Sequence, residues 1–244
     1  MPTQHSPGPT LPTDVDAWAA AAEQWIAWVR TPNHDAFWAY QSAFEAFVGP
    51  GPGEGIELGA GEGRISRVLS NLGWQMAVVE PVPTLLSAAR AARSGRTYHQ
   101  CPAHAVPADV GPADLIVLYN MLMDVDDVDA TLVGARRLVR STGRVVVGIV
   151  HPILDILMAR RLGDLERSFL VPNRFDQTVE RNGLTMRFQG WERPMSVYVN
   201  ALCAAGFRIT RMAEPAPEPD HPVTRRLKSG QVTPNILWIE ARPL

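Results

Sequence analysis

Cysteine is almost missing: Cys101 and Cys203 are the only two in 244 residues, far apart and without a neighbouring ligand cluster. Such a pair supports neither a disulfide framework nor a metal site, and both read as small buried thiols. A dominant charge sign is missing too. With 23 basic and 25 acidic residues the formal net charge is −2, so no global positive field gathers nucleic acid or an anionic membrane. Apolar runs stay well short of the roughly 20 residues that a membrane-spanning helix needs. The opening MPTQHSPGPTLPTD has none of the basic and apolar regions of a signal peptide, and a cytoplasmic protein is expected. What is present is a chain 46% apolar and 20% charged, long enough for one or two compact domains with a substantial core.

Residues 1–13 are rich in Pro, Ser, Thr and Gly and read as a disordered tail. Over 14–48 the pattern is helical. Asp14 or Asp16 can cap a helix in which Trp18, Trp25, Ile26 and Val29 recur at helical steps, TPNH at 31–34 breaks it, and Phe37, Trp38, Phe44 and Phe47 form a second stripe. These aromatics either pack on the following domain or form a lid over a ligand, with Trp38 a candidate substrate contact. After GPGPG at 49–53 strand and helix signals alternate up to residue 151. Strands are predicted at 55–58, 75–80, 114–119 and 144–150, with helices at 64–72, 82–93 and 126–139. Continuous β-branched strands separated by helices indicate a parallel sheet covered on both faces, an α/β fold. Residues 152–193 break this rhythm. A short basic helix, with Arg160, Arg161, Arg167 and Arg174 on a solvated face, leads into two strands flanking Asn182-Gly183, a strong hairpin turn. This segment reads as an insertion. A helix over 195–205 and strands at 207–212 and 236–241 close the chain over 194–244, with a Pro-rich loop long enough to project between the strands.

The most informative segment is Glu57-Leu58-Gly59-Ala60-Gly61-Glu62-Gly63-Arg64, between a strand and a helix. Its glycines let a ligand approach the backbone beside the unpaired N–H groups of a helix start. The spacing is not that of a dinucleotide fingerprint, since Arg64 stands where the third glycine belongs, and no phosphate-cradling Gly-Lys-Ser/Thr occurs. Glu57 and Glu62 repel pyrophosphate and favour a ligand carrying a positive group. Glu80, at the end of the next strand, is placed to accept both hydroxyls of a ribose.

These segments, ELGAGEGR, the acid of VVEP, DLIVLYNMLMDVDD and RRLVRSTGRVVVGIVHP in this order, resemble class I S-adenosylmethionine-dependent methyltransferases. The resemblance covers residues 50–150 most closely and the 201–244 region less so. It implies a Rossmann-like seven-stranded sheet of order 3-2-1-4-5-7-6 with strand 7 antiparallel and helices on both faces. It implies S-adenosylmethionine as cofactor and S-adenosylhomocysteine as product, without a metal. Gly59, Ala60, Gly61 and Arg64 would line the methionine portion, Glu57 would sit near its amino group, Glu80 would hold the ribose, and Pro81 would lie against adenine. CPAHAVP at 101–107 aligns with the family's adenine segment but carries Pro102 in place of the usual acid, leaving Ala103 and His104 to supply recognition. Asn120 and Met121 would pass the sulfonium.

Methyl transfer from a sulfonium is an in-line displacement that needs close, dry placement, and a hydroxyl or ammonium acceptor also needs a base. His151, at the end of the fifth strand, is the candidate base; the alternative is a histidine that shapes the strand exit. Met123 and Asp124 are candidate substrate contacts, or respectively packing and a helix cap. Phe188, Trp191 and Tyr198, with Arg187 and Arg193, form either an aromatic substrate wall or a small satellite core. The expectation is methyl transfer to O or N of a small organic acceptor, a specialised metabolite or quinone-like ring, by a monomer or homodimer without nucleic-acid or membrane partners. The alternatives are a nicotinamide-dependent oxidoreductase and a catalytically silent S-adenosylmethionine-binding regulator.

Overall fold

The apolar runs of the sequence pair into one seven-stranded sheet in a computed structural model that describes residues 13–161, 163, 168, 170–226 and 234–244. Most of the expected tail, together with Asp164, Glu166 and Arg167 of the basic segment, lies outside the described residues. Helix α1 (Asp14–Arg30), a 3-10 turn (Ala36–Ala39) and α2 (Gln41–Val48) come first. Next are β1 (Glu54–Leu58), α3 (Arg64–Asn71), β2 (Gln75–Val79), α4 (Pro83–Ala91), β3 (Thr97–His99), β4 (Ala113–Tyr119), α5 (Val128–Leu138) and β5 (Val139–Val150). The remainder comprises α6 (Pro152–Arg161), β6 (Asn173–Arg181), β7 (Leu184–Glu192), α7 (Met195–Ala204), β8 (Phe207–Ala213), the short α8 (Pro222–Arg226) and β9 (Ile236–Pro243).

The sheet order is β3-β2-β1-β4-β5-β9-β8, with β9 antiparallel to both neighbours and the other pairs parallel. This is the expected 3-2-1-4-5-7-6 order, since β9 and β8 are its strands 7 and 6. β3 was not expected, because three polar-to-aromatic residues carry no periodicity. Leu118, Leu132, Val147 and Leu202 bury one face of the sheet with α5 and α7. Phe37, Phe44, Leu69 and Trp238 bury the other with α2, α3 and the 3-10 turn. The carboxyl ends of β1, β2 and β4 therefore open along one edge, where ligands of such sheets bind.

Local chemistry sets the element ends. Thr13, not Asp14 or Asp16, caps α1 by accepting from the Asp16 N–H at 3.2 Å. Asp127 caps α5 at 2.8 Å from the Ala130 N–H, so Asp124 is not that cap. Asn182 and Gly183 both take positive φ, 48° and 77°, and turn β6 into β7. Arg174 sits on β6 rather than on a helix, paired with Asp126. The described part of the Pro-rich loop folds back instead of projecting: the Glu218 N–H donates to Ala39 O at 2.8 Å and Val223 is buried. Cys203 is exposed and Cys101 only partly buried. No helix among the described residues is long and apolar enough to cross a membrane.

The β6–β7 ribbon packs on α1. Trp25 and Trp28 meet Phe188 edge to face at 6.4 and 5.5 Å, around the buried Met186. Met186→Ala is expected to cost about 2–5 kcal/mol of unfolding free energy in urea and to expose α1 to proteolysis first; an unchanged midpoint and intact α1 would show that the ribbon does not hold the helix.

Candidate functional site

Residue types at the ends of three strands create the site. After β1 the chain must turn into α3 without side chains in the way. Gly59 and Gly61 adopt φ of 67° and 58°, a region that disfavours other residues. A Cβ at Gly59 would lie 2.9 Å from Met121 Cβ, and one at Gly61 would lie 3.2 Å from Trp25 Nε1. The turn is thus a bare-backbone cradle with the Trp25 indole above it. The neighbouring acids are fixed by different donors. Glu57 is buried and accepts from the Ser66 N–H at 2.8 Å and the Ser66 hydroxyl at 2.5 Å. Glu80 accepts from the Gly61 N–H at 2.8 Å and the Val82 N–H at 3.0 Å. Glu62 is taken by Arg30 at 2.8 Å and Arg67 at 2.6 Å, which ties the far end of α1 to the glycine turn.

A cavity of about 380 Å³ opens over this turn, within the size range of small-molecule sites. Glu57, Gly59, Ala60, Gly61, Arg64, Glu80, Pro81, Ala103, His104, Asn120 and Met121, the whole expected cofactor set, line it. Trp18, Trp25 and Val29 of α1 form its roof, and Asp14 and Asp124 face it as well. Arg64 pairs with Asp35 at 3.3 Å and stacks over Phe37 at 4.6 Å. Asn120 closes β4 with φ 52°, an uncommon value for a residue other than glycine, and its Oδ1 is buried without a hydrogen-bond partner among the described residues. Burial raises the Glu57 and Glu80 carboxyls to about 7, against the donors that hold them. Burial, with Asp14 opposite, pushes Asp124 well above the usual carboxylate range.

Other expected residues stand elsewhere. His151 is buried outside the cavity lining, with Nε2 2.8 Å from Glu214 Oε1 and Nδ1 accepting from the Ile153 N–H at 3.2 Å. Both ring nitrogens are engaged at the exit of β5. Trp38 packs against the aromatic core over α2 and the 3-10 turn. Phe188 lies behind α1, and Tyr198, on α7, is buried in the core. Met123 and Trp191 are joined by a 2.8 Å bond from the Trp191 N–H to Met123 O, behind the cavity wall. None of the described residues of 152–193 lines the cavity, and the β6–β7 ribbon backs α1 and the loop after β4 instead. Arg30, which anchors the roof, carries no distinguishing sequence signal, because arginines of solvated faces look the same, and Arg193, expected beside the aromatic wall, instead holds the loop after β4. Among the described residues no group of three or more His, Cys, Asp or Glu is arranged to hold a metal ion.

Residues 56–147 match the family model described as "Methyltransferase domain". The matched stretch runs from within β1 to within β5 and holds the glycine turn, Glu80 and Asn120. Solved structures share the fold of this chain. An S-adenosylmethionine-dependent methyltransferase from Mesorhizobium loti has a TM-score of 0.59 at 21% identity, over 85% of this chain and 98% of that one. The glycopeptide N-methyltransferase MtfA in complex with S-adenosylmethionine scores 0.62 at 16% identity, over 88% and 99%. A TehB-like S-adenosylmethionine-dependent methyltransferase from Corynebacterium glutamicum ATCC 13032 scores 0.59 at 14% identity, over 93% and 99%. Comparison with curated proteins gives no match.

The raised acids around the glycine turn have a measurable consequence. Glu57 and Glu80 titrate at about 7 when folded, above their ordinary 4.5, so folding favours their protonated forms. The stability they add is complete below that ordinary value and is lost as pH rises through about 7. Glu57→Gln, which cannot ionise, is expected to raise the ligand-free thermal midpoint relative to wild type near pH 8 and to change it little near pH 5. A difference of equal size at both pH values would contradict this assignment.

Proposed function

We propose that this chain transfers the methyl group of S-adenosylmethionine to an O or N atom of a small organic acceptor, chiefly by positioning. The observation that carries the reading is the bare-backbone turn at Gly59–Gly61 facing Glu80 across one cavity. The residues fit the cofactor: a cradle that a Cβ would fill, a strand-end acid for ribose hydroxyls, a second buried acid for an amino group, and an unpartnered Asn120 Oδ1. Gly59, Ala60 and Gly61 would hold its methionine portion, Glu57 would sit near its amino group, Glu80 at the ribose, and Pro81, Ala103 and His104 beside adenine. Bound there, the cofactor supplies an electrophilic methyl group on a cationic sulphur.

The chain's own residues do the rest. Trp18, Trp25 and Val29 roof the cavity and keep water from the reacting atoms. Asn120 and Met121 fix the floor at the end of β4. Asp124 faces the cavity, and its carboxylate, made a stronger base by burial, is the group there suited to take the acceptor's proton when it is ionised. We assign His151 to shaping the exit of β5, since Glu214 and the Ile153 N–H occupy its ring nitrogens.

Calorimetric titration tests the reading. S-adenosylhomocysteine and S-adenosylmethionine are expected to bind the whole chain, Gly59→Arg to abolish binding, and NADH to give no heat. Absence of binding to the wild-type chain would overturn the proposal. In the same assay His151→Ala is expected to keep wild-type affinity; a loss of tenfold or so, roughly 1.4 kcal/mol, would instead place His151 in the binding machinery.

A further inference from the structure

Arg193 gives three hydrogen bonds of its guanidinium to the main chain of one loop, with Tyr198 as a further side-chain partner. It is 7% exposed, and it donates to Leu122 O at 3.0 Å, to Val125 O at 2.8 Å and to Asp126 O at 3.2 Å. Its neighbour Trp191 donates its N–H to Met123 O at 2.8 Å and its indole N–H to Asp126 Oδ1 at 2.9 Å, while the Arg193 guanidinium lies 4.8 Å over the Trp191 ring. The loop's own contribution is a single turn, the Asp124 and Val125 N–H groups on Met121 O at 3.0 and 3.3 Å. Its remaining carbonyls need partners, and residues at the end of the hairpin insertion provide them.

That loop carries the cavity groups Asn120, Met121 and Asp124. Asp124 is faced by Asp14 of α1 and Glu80 at the end of β2, both negative, and by Arg193 with the opposite sign. Arg193 is thus more than a packing group. Its planar fork fits several carbonyls at once, and its charge offsets the acids gathered around Asp124.

We propose that Arg193 is a positioning residue of the methyl-transfer site, acting through the 122–126 loop to place Asn120, Met121 and Asp124 against the bound cofactor. This rests on the function proposed above and assigns the hairpin insertion a role in that site. The insertion braces the loop from behind and α1 from the side, so the roof and floor of the cavity hang on one β-ribbon.

The test uses the whole chain, S-adenosylhomocysteine as probe, and Arg193→Lys, Arg193→Met and Asp124→Asn with their double variant. Arg193→Met is expected to weaken S-adenosylhomocysteine binding by roughly 5- to 150-fold and to speed amide hydrogen exchange within 120–127 while β4 and β5 keep their protection. Arg193→Lys keeps the charge but not the fork, and it is expected to fall between Met and wild type. Arg193→Met and Asp124→Asn are expected to be non-additive, as groups coupled through one charge and hydrogen-bond network are. If both Arg193 variants bind as wild type does, whatever their thermal midpoints, the proposal is wrong. It is equally wrong if exchange rises evenly across the sheet, the mark of a scaffold role. Should Arg193→Met not fold, Arg193→Lys decides by the same readouts. Failure of the underlying functional reading is separate, because it shows as no binding by the wild-type chain.

Discussion

The bond from the Gly61 N–H to the Glu80 carboxylate, 2.8 Å long, joins the ends of two adjacent parallel strands and defines the centre of the site. It requires Gly61 to hold a left-handed backbone so that its N–H points at the next strand, and it requires Glu80 to be taken out of water. Such a carboxylate is costly to bury, and two main-chain donors and a raised proton affinity are how the fold accommodates it. The same arrangement suits a ribose: one oxygen is held by Gly61 and the other by Val82, both directed from the backbone, beside a turn without side chains. Glu57 and Glu62 repeat the theme, each acid fixed by a different partner, so three acids close in sequence have three distinct environments.

The sheet was legible because its strands are buried on both faces. Segments such as DLIVLY and VVVGIV have no polar side to solvate, and they alternate with helices at spacings that only a parallel sheet accommodates. The glycine turn was legible for a related reason: a turn that must expose backbone can be built from few residue types, and the residues proposed to hold the cofactor gather around it. All eleven of those residues line one cavity. The aromatic stripe of α1 read as packing more readily than as a lid. In the structure Trp18 and Trp25 pack on their neighbours and also line the cavity.

The substrate side was not legible in the same way. Phe188, Trp191 and Tyr198 are aromatic and close in sequence, which suits a ligand wall and a satellite core alike. Residues alternate direction along β7, and the ribbon lies behind α1 and the loop after β4, so the Phe188 and Trp191 rings back the walls, while Tyr198 of α7 is in the main core. His151 has a similar history. A histidine at a strand end is well placed for chemistry, but Glu214 arrives from a distant segment, and no local pattern announces that contact. Arg193 was singled out with the aromatic wall, but its hold on the loop after β4 was not legible, because its partners there are carbonyl groups, which leave no trace in residue identity.

A crystal structure of the whole chain grown with S-adenosylhomocysteine tests this account most directly. It should show the ribose hydroxyls within hydrogen-bonding distance of Glu80 and the aminoacyl end over Gly59–Gly61, beneath Trp25. Density for that molecule elsewhere, with Glu80 still turned to the protein's own backbone alone, would contradict it.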